Sequence, residues 1–226
     1  MVCPLYLALT AAEFQNIAKL PDHAAWMACH FSPYGDGLSN VPKHLPEGSM
    51  LMVNDWLPVQ GHDPGRITEQ IKELSPSRIL LDFQRAGNTQ TGRIVDKLLS
   101  TLSCSVGVAL PYARKGIPVL LPPVPPHTRL EDHLKAYSGY EIWLEMAPMT
   151  SYAEVTEEGT VFRETDDIWD STSFFDNTLK SHYQTSVEND CVRFLLWRTK
   201  EDVLKLQKDA RAFGVSCCVG LYRELK

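Results

Sequence analysis

The sequence predicts an α/β fold over residues 1–226, a somewhat irregular (β/α)8 barrel of TIM type forming a single domain. Three observations carry that expectation. Short apolar runs recur about eight times and most lead into a helical pattern, the order that gives parallel strands joined by helical crossovers. Polar residues collect at the C-terminal ends of those runs, where barrel enzymes carry their sites. No G-x-G-x-x-G or G-x-x-x-x-G-K-[ST] follows any run, which removes the nucleotide signatures of the open doubly wound alternative.

The elements follow in order. LYLALT (5–10) leads into AAEFQNIAKL, where Thr10 and Glu13 have capping-box spacing. AAWMACHFS (24–32) precedes a Gly/Pro-rich loop, and SMLMVND (49–55) is the third strand. Asp63-Pro64 reads as cap and first residue of the helix GRITEQIKEL. RILLDFQ (78–84) is the fourth strand, followed by a helix whose face is Ile94, Val95, Leu98 and Leu99. SVGVALPY (105–112) is the fifth. The stretch ARKGIPVLLPPVPPH is too rich in proline for a central strand, so VLL is expected at most at an edge. Thr128 and Glu131 are expected to cap RLEDHLKAY, and YEIWLEMA (140–147) is the sixth strand.

A β-hairpin insertion follows strand six, SYAEVTEEGTVFRE (151–164), turning at Glu158-Gly159. It opens a hairpin and loop excursion over 148–190, with a further strand near His182–Ser186. CVRFLLWR (191–198) reads as the seventh barrel strand, Thr199 as the cap of the last long helix, Gly214 as its stop and VSCCVGLY (215–222) as the eighth strand.

Composition narrows the function classes. Apolar residues make up 44% and charged residues 22%, so the chain can build an ordinary globular core. With 22 basic against 28 acidic residues, the net charge is −6 and the basic residues are scattered, which argues against nucleic acid as a partner. The first residues carry no basic n-region, and no run reaches the roughly 18 apolar residues of a membrane span, so a soluble cytoplasmic protein is expected. The six cysteines form no C-x-x-C pair, and neither a metal nor a cofactor is expected. Oligomeric state is left open.

Side chains alternate along a strand, so one inward residue assigns its neighbours. In RILLDFQ the apolar set Ile79, Leu81, Phe83 suits the helix-packed outside, which turns Leu80, Asp82 and Gln84 inward. The same reasoning places Glu141, Trp143 and Glu145 inside on strand six, His30 and Ser32 on strand two, and Cys218, Gly220 and Tyr222 on the last strand. On strand three either Asn54 or Asp55 faces in. The mouth would then gather His30, Asp82, Gln84, Trp143, Glu145 and Tyr222, with Tyr34, Trp56 and Tyr112 on the loops above.

Aromatic rings and carboxylates around one concavity suit a sugar. Rings stack on its apolar faces, one carboxyl protonates the leaving oxygen, and another attacks or stabilises the anomeric centre. Each residue also has a structural alternative: an inward acid paired with Arg85, Arg114 or Arg193, a hydrogen-bonded core His30, a Trp143 that fills the barrel.

Taken together, an acid and a second hydrogen-bonding residue two positions on resemble the D-x-x-D-x-D-x-E motif of family 18 glycoside hydrolases, (β/α)8 barrels that act on chitin-like polymers. The resemblance places Ser77, Leu80, Asp82 and Gln84 where that family carries Asp, Asp, Asp and the general acid Glu. Only Asp82 is kept. It implies a glycoside-hydrolase-like barrel that binds, and on one reading hydrolyses, a carbohydrate at its C-terminal mouth. In that reading Glu145 with Asp82 is catalytic, and Gln84, Trp143, Tyr112, Tyr222, His30 and Trp56 bind substrate. A catalytically inactive, oligosaccharide-binding barrel, a pseudoenzyme, is the alternative. A lyase or aldolase is a second alternative, although no lysine falls on a strand interior and no Gly-rich phosphate loop precedes the last helix.

Overall fold

The computed structural model describes residues 2–165, 172–188 and 191–226. In chain order its strands are β1 (Leu5–Leu9), β2 (Ala24–Phe31), β3 (Leu38–Ser39), β4 (Met50–Asn54), β5 (Arg78–Asp82), β6 (Ser105–Ala109) and β7 (Pro118–Leu121). They continue as β8 (Glu141–Glu145), β9 (Thr150–Thr156), β10 (Gly159–Glu164), β11 (Phe174–Asp176), β12 (Ser181–Glu188), β13 (Cys191–Trp197) and β14 (Val215–Leu221). The α-helices are α1 (Ala11–Asn16), α2 (Pro64–Leu74), α3 (Thr89–Thr101), α4 (Leu130–Lys135), α5 (Lys200–Ala210) and α6 (Tyr222–Leu225).

Eight parallel strands close a (β/α)8 barrel in the order β1-β2-β4-β5-β6-β7-β8-β14, and β14 returns to pair with β1. The short β3 adds to β2 antiparallel, at His30 and Phe31. Closure pairs every barrel strand on both edges.

Local chemistry sets the helix starts. Thr10 and Glu13 form a reciprocal capping box on α1, Asp63 caps α2 with Pro64 at its first position, and Thr199 with Asp202 repeats the capping box on α5. Asn88 caps α3 by accepting from the amides of Gln90 and Thr91. The expected cap at Thr128 is not formed. Helix α4 starts from Arg129 without a side-chain cap.

Two strand assignments change. The proline-rich stretch supplies a full barrel strand, β7, between β6 and β8. Pro118 stands at its first position and Pro122 and Pro123 lie just past its end, so no proline removes a donor from its middle. Conversely, β13 is not a barrel strand. It sits at the centre of a second, antiparallel sheet ordered β10-β9-β13-β12-β11, inserted between β8 and α5. YEIWLEMA is therefore the seventh barrel strand, and the hairpin after it is β9–β10, turning at Glu157-Glu158. The strand expected near 182–186 falls within β12, while 166–171 and 189–190 of the expected excursion lie outside the described residues.

The barrel interior is filled by Tyr6, Ala8, Ala25, Met50, Leu80, Leu120, Trp143, Cys217 and Val219. Trp143 is the largest of the fully buried side chains. It fits because the facing residue on β6 is Gly107, where an added Cβ would lie 2.6 Å from the indole ring. Arg78, at the start of β5, places its guanidinium 5.6 Å from the Trp143 ring centroid and 5.9 Å from that of Tyr6. On the outside, Ile79, Leu81 and Phe83 join the layer packed under the helices with Ile67, Ile71, Ile94 and Leu98.

The last strand faces one residue differently from expectation. Cys217 and Val219 point inward, while Cys218 joins the outer layer, its thiol 3.6 Å from that of Cys3. The register between β14 and β8 slips between Val215 and Cys217, and such an irregularity inverts the alternation counted from the strand's end.

Candidate functional site

The site is organised by the end of β5. Leu80 faces the barrel interior, so Asp82 emerges on the same face one step higher, level with Asn54 of β4. Beyond it the chain turns through residues 83–88. The buried Asp55 carboxylate holds this turn, accepting from the Gln84 amide at 3.0 Å and from the Arg85 amide at 2.8 Å. Arg85 Nη2 donates to the Trp56 carbonyl at 2.7 Å, and Tyr112 donates its hydroxyl to the Arg85 carbonyl at 2.8 Å. Held from β4 and from the chain after β6, the turn presents Gln84 with its side-chain amide donating to the Asp82 carboxylate.

These residues form one wall of an open cavity of about 560 Å³ at the C-terminal ends of β2, β4 and β5. Ala28 and His30 of β2, Asn40 after β3, and Asn54, Asp55 and Trp56 at the end of β4 complete it. His30 Nδ1 donates to the Phe31 carbonyl at 2.8 Å, which leaves Nε2 to accept from Asn40 Nδ2 at 3.1 Å. Both ring nitrogens are thus engaged, and the imidazole is a built-in part of the wall. Trp56 is 70% exposed, and its ring meets His30 edge to face with centroids 5.6 Å apart. The Trp56 amide donates to Asn54 Oδ1 at 3.1 Å, setting the bend that lifts the indole out of the strand.

The two carboxyls proposed for chemistry share an electrostatic environment. Burial raises the pKa of Asp82, the Gln84 hydrogen bond opposes this, and the Asp55 charge adds to the rise. Burial likewise raises Glu145, with further contributions from Asp82 and Glu224.

Of the residues expected at the mouth, the structure brings His30, Trp56, Asp82 and Gln84 together on the cavity wall. Glu145 shares the inner face of β8 with Trp143 and feels the Asp82 charge, yet it is not among the lining residues. Trp143 lies wholly inside the barrel. The Tyr112 ring packs edge-on against Phe83 at 6.0 Å in the outer layer and reaches the site only by its hydroxyl. Tyr222 begins α6, after the strand has ended, with the Lys226 ammonium 6.0 Å from its ring. Asn40 carried no signal, since it follows a two-residue strand in a loop without periodicity. Asp55 was visible only as the alternative to Asn54, and both prove to line the cavity. Among the described residues no group of three or more His, Cys, Asp or Glu could hold a metal ion.

No protein-family model and no curated protein sequence matches the chain. Solved structures do. The spore cortex-lytic enzyme SleL of Bacillus cereus is 9% identical with a TM-score of 0.59, over 99% of this chain and 71% of that one. The chitinase-like agglutinin of Robinia pseudoacacia is 8% identical with a TM-score of 0.58, over 98% and 95%. A GH18 chitinase of Cycas revoluta, doubly substituted and in complex with (GlcNAc)4, is 9% identical with a TM-score of 0.57, over 96% and 94%. The fold is that of a GH18-like barrel. Leu80 is fully buried in the barrel interior, and the Ser77 hydroxyl donates to the Ser49 carbonyl at 2.8 Å, below the mouth.

Proposed function

We propose that this GH18-like barrel binds an oligosaccharide in the mouth cavity and does not cleave it through the strand-four motif. One observation carries the reading: Gln84, at the position of the proton donor in the motif, donates its amide to Asp82 on a cavity wall that also presents the exposed Trp56 ring. An amide cannot protonate a leaving oxygen, while it can hydrogen-bond a sugar hydroxyl or acetamido group. Trp56 offers the apolar face on which a pyranose stacks, and Asn40, Asn54 and Arg85 offer polar contacts around it.

The neighbours in fold support a ligand of this class. One is described as an agglutinin, and another holds (GlcNAc)4 while carrying a Glu-to-Gln substitution. N-acetylglucosamine oligomers are therefore the first ligands to test. Calorimetric titration of the wild type should show saturable binding that Trp56→Ala removes, with no release of nitrophenol from chromogenic chitooligosaccharides. Absence of binding across a broad glycan panel would refute the proposal.

A second reading rests on Glu145. Burial and the Asp82 charge raise its pKa, the direction a general acid requires, so it is the candidate donor should the barrel hydrolyse its ligand, although it does not line the cavity. Glu145→Gln would then abolish turnover and spare binding. A lyase or aldolase is disfavoured, since among the described residues no lysine lines the cavity. Among the described residues no helix is long and apolar enough to cross a membrane.

A further inference from the structure

A second cavity, of about 530 Å³, lies beside the first on the outer side of β2. It exists because α1 is short: its six residues are capped at Thr10, yet none of them is fully buried. The gap is bounded by Phe14 on the helix, by Trp26 of β2, and by residues 40–44 after β3. Its floor is aromatic, with the Phe14 and Trp26 rings edge to face at 5.0 Å and 79°. The Trp26 indole is held in place by donating to the Asn40 carbonyl at 2.8 Å. Asn40 is also the wall shared with the mouth cavity, where its side chain meets His30.

The rim has the opposite sign to the molecule. Lys43 and His44 line it, both exposed, and among the described residues no acidic one does, in a chain of net charge −6. Neither side chain forms an ion pair or hydrogen bond among the described residues. An apolar, aromatic pocket of this volume with a few polar groups at one edge is the usual form of a small-molecule site.

The geometry points to a binding site for a small aromatic carboxylate, whose ring completes the cluster with Phe14 and Trp26 and whose carboxylate meets Lys43 and His44. A third ring extends an edge-to-face pair that already has the preferred aromatic geometry. The Lys43 ammonium at the rim, with the His44 imidazole beside it as a hydrogen-bonding partner, takes a single negative group with little desolvation, because both side chains remain in water. The site is distinct from the glycan cavity and separated from it by Asn40.

The test is calorimetric titration of the full chain with 3-phenylpropionate and with its neutral amide. The acid should bind one to one and the amide about two- to fivefold more weakly, the range an exposed charge pair supports. Lys43→Gln with His44→Gln, both at exposed positions where folding is unaffected, should bring the acid down to the affinity of the amide. Phe14→Ala should weaken both, with an unchanged circular dichroism spectrum checking that the barrel is intact. Absence of binding, or equal binding of acid and amide, overturns the inference. So does an acid that ignores the double substitution and is lost in Trp56→Ala, which would place it in the mouth cavity. Because no glycan is present, this site and the oligosaccharide reading fail separately.

Discussion

Gln84 and Asp82 form a closed pair at the end of β5, the amide of one donating to the carboxylate of the other across two residues of the same chain. The pair has the spacing of the last two positions of the motif it resembles, with an amide where that motif carries an acid. The Asp55 carboxylate holds the backbone of Gln84 in place, so the side chain at this position can change without the turn having to move.

Gln84→Glu is therefore expected to convert binding into hydrolysis. A carboxyl at this position, beside the Asp82 carboxylate, can carry the proton that the amide cannot, and general-acid catalysis is worth roughly a hundred- to ten-thousand-fold. Release of nitrophenol from a chromogenic chitobioside should rise at least about a hundredfold over the wild type. An unchanged rate, with binding intact, would show that Gln84 does not stand where the donor must stand.

Asp55 is expected to be a positioning residue for the same turn. Its carboxylate is 5% exposed and accepts two backbone amides, so Asp55→Ala leaves both without an acceptor. Hydrogen bonds to a charged group contribute about 1.5–3 kcal/mol each, and the alanine variant should lose about 2–4 kcal/mol in urea unfolding. Amide exchange at residues 84–88 should accelerate more than elsewhere. Asp55→Asn, which keeps one acceptor, should recover part of both effects. Uniform exchange across the chain would remove the specific role.

Trp143 and Gly107 should behave as one unit. Gly107→Ala puts a methyl group 2.6 Å from the indole, and overpacking of this kind costs about 1–3 kcal/mol. Trp143→Leu should cost several kcal/mol by leaving a cavity in the barrel interior. In the double variant the alanine occupies part of that cavity, so the two losses should sum to less than their separate values by about 1 kcal/mol or more. Strict additivity in chemical denaturation would mean that the ring and the glycine do not meet.

The limits of what was legible in the sequence are themselves physical. RILLD announced itself because three apolar residues run into an acid, and its facing followed from the all-apolar set Ile79, Leu81 and Phe83. Pro118–Leu121 was obscured because prolines flank it, although flanking prolines remove no donor from the middle of the ladder. CVRFLLW reads like any barrel strand, since alternation records that one face is buried and carries no information about which sheet buries it. The facing of Cys218 was lost to a register slip that no residue type marks. At the site, Asp82 and Gln84 were accessible from strand alternation, whereas Asn40 is brought in by a two-residue strand and a loop whose path only the tertiary fold determines.

Glu145 offers a test by pH. Burial raises its folded-state pKa above the ordinary 4.5, and the charges of Asp82 and Glu224 add to the rise, so between the unfolded and folded values the native state holds more protons than the unfolded chain. Stability then falls as pH rises, because the slope of unfolding free energy with pH follows the difference in protons bound. The contribution is fully present below the unfolded pKa and is lost as pH rises through the folded one. Asp82, raised from 3.8, acts in the same sense. Glu145→Gln removes one titration while keeping the shape of the side chain. The difference in unfolding free energy between variant and wild type should accordingly grow in favour of glutamine from about pH 4.5 upward, with a slope of at most about 1.4 kcal/mol per pH, and level off above the folded pKa. A difference that stays flat between pH 4 and 8 would mean that Glu145 is not held toward its neutral form, and would remove the physical basis for reading it as a proton donor.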